Sequence, residues 1–99
     1  DWRQFHALKD LILSLNLEAS ELLELTQWKS EAAFEKDAET PATRQRLEEE
    51  CADVLLYLLL IAERTGIDLQ AAASRKIEAN AAKYPIAKAR GTATKYTDL

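Results

Sequence analysis

The sequence predicts an all-α protein, and two features of its composition lead to that prediction. The 99 residues include 2 Gly and 2 Pro, whereas average usage would give about 7 and 5 in a chain of this length. Turns between strands depend on these residues, so a β-sandwich and a Gly-rich nucleotide-binding loop are excluded. Apolar residues make up 47% of the chain and charged residues 30%, as in ordinary globular domains. We expect one domain, residues 1–99, built as a helical bundle.

The first of three main predicted helices runs from about Gln4 or Ala7 to Lys29. Leucines and other apolar residues recur through this stretch at helical spacing, which defines one apolar stripe. The polar and charged segment 30–40 follows it. We expect that segment to be a loop or a frayed helix end.

The second helix has start and stop signals at both ends. Thr40 is predicted as its N-cap and Pro41 as its first helical residue, because proline is favoured at that position. The helix is then expected to cover residues 41–65. Gly66 is its natural stop.

A third helix is predicted over residues 69–84. Asp68 is placed to cap its first turn, and Pro85 ends it because the residue before a proline disfavours helical geometry. The remaining residues, 86–99, are expected to form an extended tail.

Charge and cysteine content exclude several classes of function. The formal net charge is −4, which gives no support for binding a nucleic acid polymer through its phosphates. The single Cys51 excludes an internal disulfide and a cysteine zinc site, and predicts a reducing, cytoplasmic location. No apolar run approaches the length of about 18 residues needed to span a membrane.

Residues 54–62 indicate self-association. They read VLLYLLLIA, which is apolar on every side of a helix rather than along one stripe. A helix of this kind is buried all round, and so short a chain has little else to cover it. We expect a homo-oligomer, either a dimer or a tetramer. The alternative is that the tail folds over this segment.

Two pairs of carboxylates occupy matching positions on the two long helices. Glu18 falls within the apolar stripe of the first helix, and Glu21 lies one turn along and about 60° to one side. Glu50 and Asp53 repeat this arrangement on the second helix. If the helices pack antiparallel through their stripes, four carboxylates converge and repel unless a hard divalent cation such as Mg²⁺ lies among them. The alternative is an ordinary solvated acidic face, and the pattern alone does not decide between the two.

At these residues the chain resembles a known family, the MazG-like all-α nucleoside triphosphate pyrophosphohydrolases. LEASEL (17–22) followed by ECADV (50–54) is similar to the family's E-x-x-E … E-x-x-D signature. Within the family the chain looks most like the dCTP pyrophosphatase branch. The segments that carry this closer likeness are DWRQFH (1–6), QWKS (27–30), DVLLYL (53–58), RG (90–91) and KYTDL (95–99).

The resemblance implies a reaction and a set of metal ligands. Such enzymes hydrolyse a nucleoside triphosphate between its α and β phosphates, giving a monophosphate and pyrophosphate. By resemblance Glu18, Glu21, Glu50 and Asp53 would ligate Mg²⁺, and Glu18 and Glu21 would be catalytic, with Glu21 nearest the attacking water.

The resemblance also implies substrate-binding residues. Asn80 and Lys83 on the third helix, with Arg90 in the tail, would contact sugar or phosphate. Without the resemblance, the lysine would be read as plain solvated surface. The aromatic residues that would flank a pyrimidine base are Trp2, Trp28 and Tyr57. The alternative for Trp28 is packing over the first apolar stripe. His6 is assigned no role.

The sequence thus predicts Mg²⁺-dependent hydrolysis of dCTP or a related or modified pyrimidine triphosphate, which would clear unwanted nucleotides from the pool. Two alternatives stay open at this point. One is a non-catalytic helical dimerisation module with solvated carboxylates. The other is a hydrolase of the same kind that prefers dUTP or accepts many triphosphates.

Overall fold

The computed structural model describes residues 7–83, and every secondary-structure element within them is a helix. The predicted all-α class is confirmed, with one more helix than expected. The four helices are α1 (Leu8–Glu24), α2 (Glu31–Asp37), α3 (Pro41–Thr65) and α4 (Leu69–Lys83). The chain divides after Gly66 into two compact units, and α4 belongs to the second. Trp2, Arg90 and the extended tail over 86–99 lie outside the described residues.

Helix α3 has the boundaries that the sequence predicts. The Thr40 hydroxyl accepts a hydrogen bond from the backbone N–H of Thr43 at 3.5 Å, and Pro41 follows at the first helical position. At the other end Gly66 adopts a φ of 76° and donates its N–H to the carbonyl of Ala62 at 2.8 Å. A left-handed residue of this kind satisfies a helix's last carbonyls and suits glycine.

Helix α1 ends at Glu24, earlier than the predicted end at Lys29. Tighter turns follow, in which the N–H groups of residues 25–27 donate to carbonyls three residues back instead of four. Trp28 then has a φ of 64°, a left-handed conformation that costs a residue with a Cβ atom about 1–2 kcal/mol. Its backbone therefore turns the chain out of the helical direction.

The expectation of a loop or frayed end over residues 30–40 is wrong for its central part, where α2 forms. Ser30 caps this short helix, because its hydroxyl accepts from the N–H of Ala33 at 3.2 Å. Glu31 lies in the first turn and Lys36 in the last, where each charge favours the helix dipole. Seven residues are too few to produce a clear apolar stripe, which is why spacing did not reveal the helix.

Helix α4 belongs to the second unit and starts as predicted. The carboxylate of Asp68 accepts from the N–H of Ala71 at 3.0 Å, which satisfies one of the free donors at a helix N-terminus. The helix ends at Lys83. Tyr84, its predicted last residue, lies outside the described residues.

The first unit has a small core formed where α1 packs against α3. Among the described residues only Leu11 and Leu25 are buried apolar side chains, at 3% and 7% exposure. Several other apolar side chains on both helices stay at least half exposed, including Leu13, Leu55 and Leu56. The packing of this one chain thus leaves much of the apolar surface on both helices uncovered.

Over the described part of the chain, no helix is both long enough and apolar enough to cross a membrane.

Candidate metal centre

Three carboxylates meet where α1 packs against α3. Glu18 and Glu21 come from α1 and Glu50 from α3, and one oxygen of each lies within 4.8 Å of the others. Glu18 and Glu50 are half-buried, while Glu21 is exposed. The helical wheel predicted this meeting, because each helix places a carboxylate on the stripe that packs against the other.

Two oxygens of this cluster are buried without a partner. Glu18 Oε2 and Glu50 Oε2 are each shielded from water and accept no hydrogen bond within the described chain. A buried polar atom without a partner is unfavourable, and such atoms are rare in folded proteins. The orphaned oxygens, in a set of donors made only of carboxylates, fit a hard divalent cation, which takes oxygen ligands.

The cluster shifts the acidity of its own members. Burial raises the pKa of Glu18 above its ordinary value, and the neighbouring charges of Glu21, Asp53 and Glu50 raise it further. Burial also raises the pKa of Glu50, again with Glu21 and Asp53 adding to the effect. Like charges at short range disfavour the ionised form, so the cluster resists full ionisation in the absence of a cation.

Asp53 does not belong to this tight cluster, although it lies close enough to affect two of its members. Together with Glu18 it borders an open pocket of about 380 Å³. Tyr57, a predicted base-binding residue, also lines this pocket. The remaining wall is largely apolar and comes from Leu56, Leu59, Leu60 and Glu63. An apolar pocket beside a few polar groups is the usual form of a small-molecule site.

The sequence reasoning missed two contributors to this site. The pocket's leucines and Glu63 lie three to ten residues beyond Asp53 in α3, a helical spacing that could have placed them on one face. Arg46 lies one turn before Glu50, and its charge opposes the rise in the pKa of that carboxyl. Arg46 is thus a positively charged side chain on α3 that acts on Glu50.

The remaining predicted site residues lie in the turn after α1, in the second unit or outside the described residues. Trp28 lies in the turn after α1 with 93% of its surface exposed, so it does not pack over the apolar stripe. Asn80 and Lys83 are exposed on α4, in the second unit. Trp2 and Arg90 lie outside the described residues.

Two neighbouring glutamates show what an ordinary solvated acid looks like in this chain. Glu48 and Glu49 are exposed on α3. Glu48 lies 3.8 Å from Arg44, and Glu49 accepts from the side-chain amide of Gln45 at 3.2 Å. These residues are matched controls for Glu50, which sits directly beside them in sequence.

Helices α1 and α3 thus form an all-α pair with one shared carboxylate cluster. The chain is a member of the MazG-like family, whose model matches residues 13–99. It is 46% identical over 99 residues to dCTP pyrophosphatase 1 of Rattus norvegicus and 41% identical to dCTP pyrophosphatase 1 of Homo sapiens. All of this chain is covered in both alignments, but only 58% of each relative. The chain thus spans little more than half the length of these curated relatives.

Proposed function

We propose that this protein hydrolyses dCTP, or a related or modified pyrimidine nucleoside triphosphate, to the monophosphate and pyrophosphate. The proposed reaction depends on Mg²⁺. The observation that carries the proposal is the pair of buried, unpartnered oxygens of Glu18 and Glu50 beside an open apolar pocket. The dCTP pyrophosphatases among its relatives support the choice of substrate. Clearing unwanted nucleotides is the corresponding role.

The metal ligands in this proposal are Glu18, Glu21, Glu50 and Asp53. A triphosphate adds about four negative charges to a chain that already carries −4, so the acidic cluster would repel it without a cation. When bound, Mg²⁺ offsets the charge of the carboxylates and phosphates and makes water more acidic. Glu18 and Glu50 orient this site because they are half-buried on rigid helices.

Glu21 is the proposed base for the attacking water. It is the exposed member of the cluster, so a water molecule can reach its carboxylate. Glu18 lies one turn earlier on α1, with a carboxylate oxygen within 4.8 Å of one of Glu21, and is the second proposed catalytic residue. Water adds to phosphorus, the bond to the bridging α–β oxygen breaks, Glu21 accepts the proton, and pyrophosphate leaves with the bond's electron pair.

The nucleoside is proposed to lie along the pocket that Tyr57 lines. An aromatic ring can stack on a base face, an interaction worth about 1–3 kcal/mol in single-strand binders. Trp28 and Trp2 are proposed as further stacking residues, and Asn80, Lys83 and Arg90 as sugar or phosphate contacts. These assignments follow the family resemblance.

A second copy of the chain is the proposed cover for the exposed leucines. Leu55 on α3 is about half exposed, as are Leu13 and Leu17 on α1, and none of the three lines the pocket. Monomeric proteins seldom leave contiguous apolar patches uncovered, and closed symmetric oligomers are the common solution. A dimer or a tetramer would satisfy this surface. The cytoplasmic location stays a prediction from the single Cys51.

The test is incubation of the protein with each dNTP and Mg²⁺, followed by separation of the products. We expect dCTP, or a modified cytosine triphosphate, to give the monophosphate and pyrophosphate fastest. Faster turnover of dUTP than of dCTP would contradict the proposed substrate and favour a dUTP-preferring enzyme. Release of orthophosphate alone, or equal rates with and without Mg²⁺, would contradict the mechanism. A dimerisation module without catalysis predicts no turnover of any nucleotide.

A further inference from the structure

Trp28 is presented to solvent on a backbone conformation that few side chains adopt. Its φ is 64°, the single positive value at a non-glycine residue in the described part of the chain, and 93% of its surface is exposed. Burial therefore does not hold this ring in place. A left-handed residue persists only where its surroundings fix it, and such residues gather at binding sites.

The next residue, Lys29, ties this turn to the rest of the unit. Its backbone N–H donates to the carbonyl of Thr26 at 3.2 Å, which closes the turn around Trp28. Its ammonium group then reaches the carboxylate of Asp37 at 2.5 Å and lies 5.9 Å from the centre of the Phe34 ring. The lysine side chain is thereby directed toward α2.

Asp37, the last residue of α2, joins three segments of the chain. Its Oδ2 accepts from Lys29 and also from the Thr43 hydroxyl, at 3.0 Å, in the first turn of α3. Its backbone carbonyl accepts from the N–H of Thr40 at 3.0 Å and from the Thr40 hydroxyl at 2.7 Å. The Trp28 turn, α2 and the start of α3 thus meet at this one residue.

The charge state of Asp37 agrees with this role. The hydrogen bond from Lys29 lowers the pKa of Asp37, and the hydrogen bond from Thr43 lowers it further. Groups that stabilise the ionised form keep a carboxylate charged. Asp37 is therefore an acceptor for both partners at neutral pH.

We propose that Asp37 is a positioning residue, which holds Lys29 and the Trp28 turn in place and thereby sets the affinity for the nucleoside. The inference rests on the proposed function, because it takes Trp28 as a stacking partner of the base. Asp37 touches neither the substrate nor the metal cluster in this account. It acts through the order that it gives to the turn.

The kinetic test compares Asp37→Asn with Glu35→Gln, an exposed carboxylate on the same helix, in the full 99-residue chain. We expect Asp37→Asn to raise KM for dCTP about fivefold with kcat within about twofold, because ground-state binding is lost and the chemical step is not. Glu35→Gln should match the unmodified protein. Thr43→Val, which removes one of the two side-chain partners, should have a smaller effect in the same direction.

A double-mutant cycle separates positioning from a general loss of structure. If Asp37 acts through Trp28, Asp37→Asn should raise KM no further in a Trp28→Ala background. An equal rise in KM in both backgrounds would overturn the inference. So would an unchanged KM in Asp37→Asn while dCTP is hydrolysed normally.

A spectroscopic measurement keeps the inference separate from the activity. In a Trp2→Phe background the remaining tryptophan is Trp28, and its time-resolved fluorescence anisotropy reports nanosecond motion of the ring. Asp37→Asn should speed the depolarisation, and Glu35→Gln should not. Identical decays in both variants would overturn the inference, whereas an absence of dCTP turnover in the unmodified protein would contradict only the proposed function.

Discussion

Glu18 on α1 and Glu50 on α3 bring carboxylate oxygens within 4.8 Å of each other, and each keeps one buried oxygen without a partner. The two residues are 32 positions apart in sequence, so only the packing of the two helices joins them. Neither oxygen finds a donor among the described residues. A bound cation would supply the missing interaction for both.

Mg²⁺ should stabilise the folded protein through this pair. A ligand that binds only the folded state raises its stability by mass action, and for a domain of this size a saturating cation should raise Tm by about 5 °C or more. Glu50→Gln should abolish the rise. The exposed neighbour variant Glu49→Gln should retain it. Thermal melts with and without Mg²⁺ measure this, and an equal rise in both variants would exclude Glu50 as a ligand.

The raised pKa values of Glu18 and Glu50 predict a pH dependence in metal-free protein. A carboxyl whose pKa is higher in the folded than in the unfolded state stabilises the fold at low pH. That stabilisation is lost as pH rises through the folded pKa, from an ordinary value of about 4.3 upward. Glu50→Gln, which carries no charge, should therefore melt higher than the unmodified protein at pH 7 and differ less from it near pH 4.5. Melts in EDTA across this range test the sign, and a gap that widens toward low pH would contradict it.

Gly66 should be the residue at the end of α3 that tolerates substitution least. A Cβ atom there would meet nothing within 4 Å, so the cost of Gly66→Ala comes from the backbone φ of 76° and should be about 1 kcal/mol. Gly66→Asn should cost less, because asparagine enters the left-handed region more readily. Urea unfolding measures both. An alanine variant as stable as the parent would show that α3 can end in another way.

Leu55 tests the proposed self-association without touching the metal cluster or the pocket lining. Replacing this exposed leucine with lysine should dissociate the oligomer, since a charge would have to be buried at the interface. Glu48→Lys is the matched control because Glu48 lies two turns earlier on nearly the same side of α3. Sedimentation velocity reports the mass of each variant. If the unmodified protein sediments as a monomer, the proposal of self-association is wrong.

The sequence predicted the parts of the fold that depend on local signals. Thr40, Pro41 and Gly66 each act on the backbone beside them, so both ends of α3 follow from the sequence. Helix α2 has a local signal of the same kind in its N-cap Ser30, but its seven residues carry no periodic stripe that would distinguish it from a loop. The early end of α1 at Glu24 and the left-handed backbone of Trp28 after it have no signature in side-chain spacing.

The sequence predicted which helix faces carry the candidate site, but not the contacts made within it. Helical spacing placed Glu18 and Glu50 on packed faces, because periodicity says which side of a helix is covered. It could not reveal that one oxygen of each would be left without a donor, since that depends on every neighbouring side chain. The contact of Lys29 with Asp37 was equally hidden, because it joins a turn to the end of a helix that spacing did not predict.

Hydrolysis of dCTP followed by ³¹P NMR tests the central claim most directly. In the presence of Mg²⁺ the unmodified protein and Glu49→Gln should convert dCTP to dCMP and pyrophosphate, while Glu50→Gln should lose at least about 100-fold in kcat/KM. Addition of EDTA should abolish turnover by all three. Turnover by Glu50→Gln equal to that of Glu49→Gln, or turnover that persists in EDTA, would contradict the account.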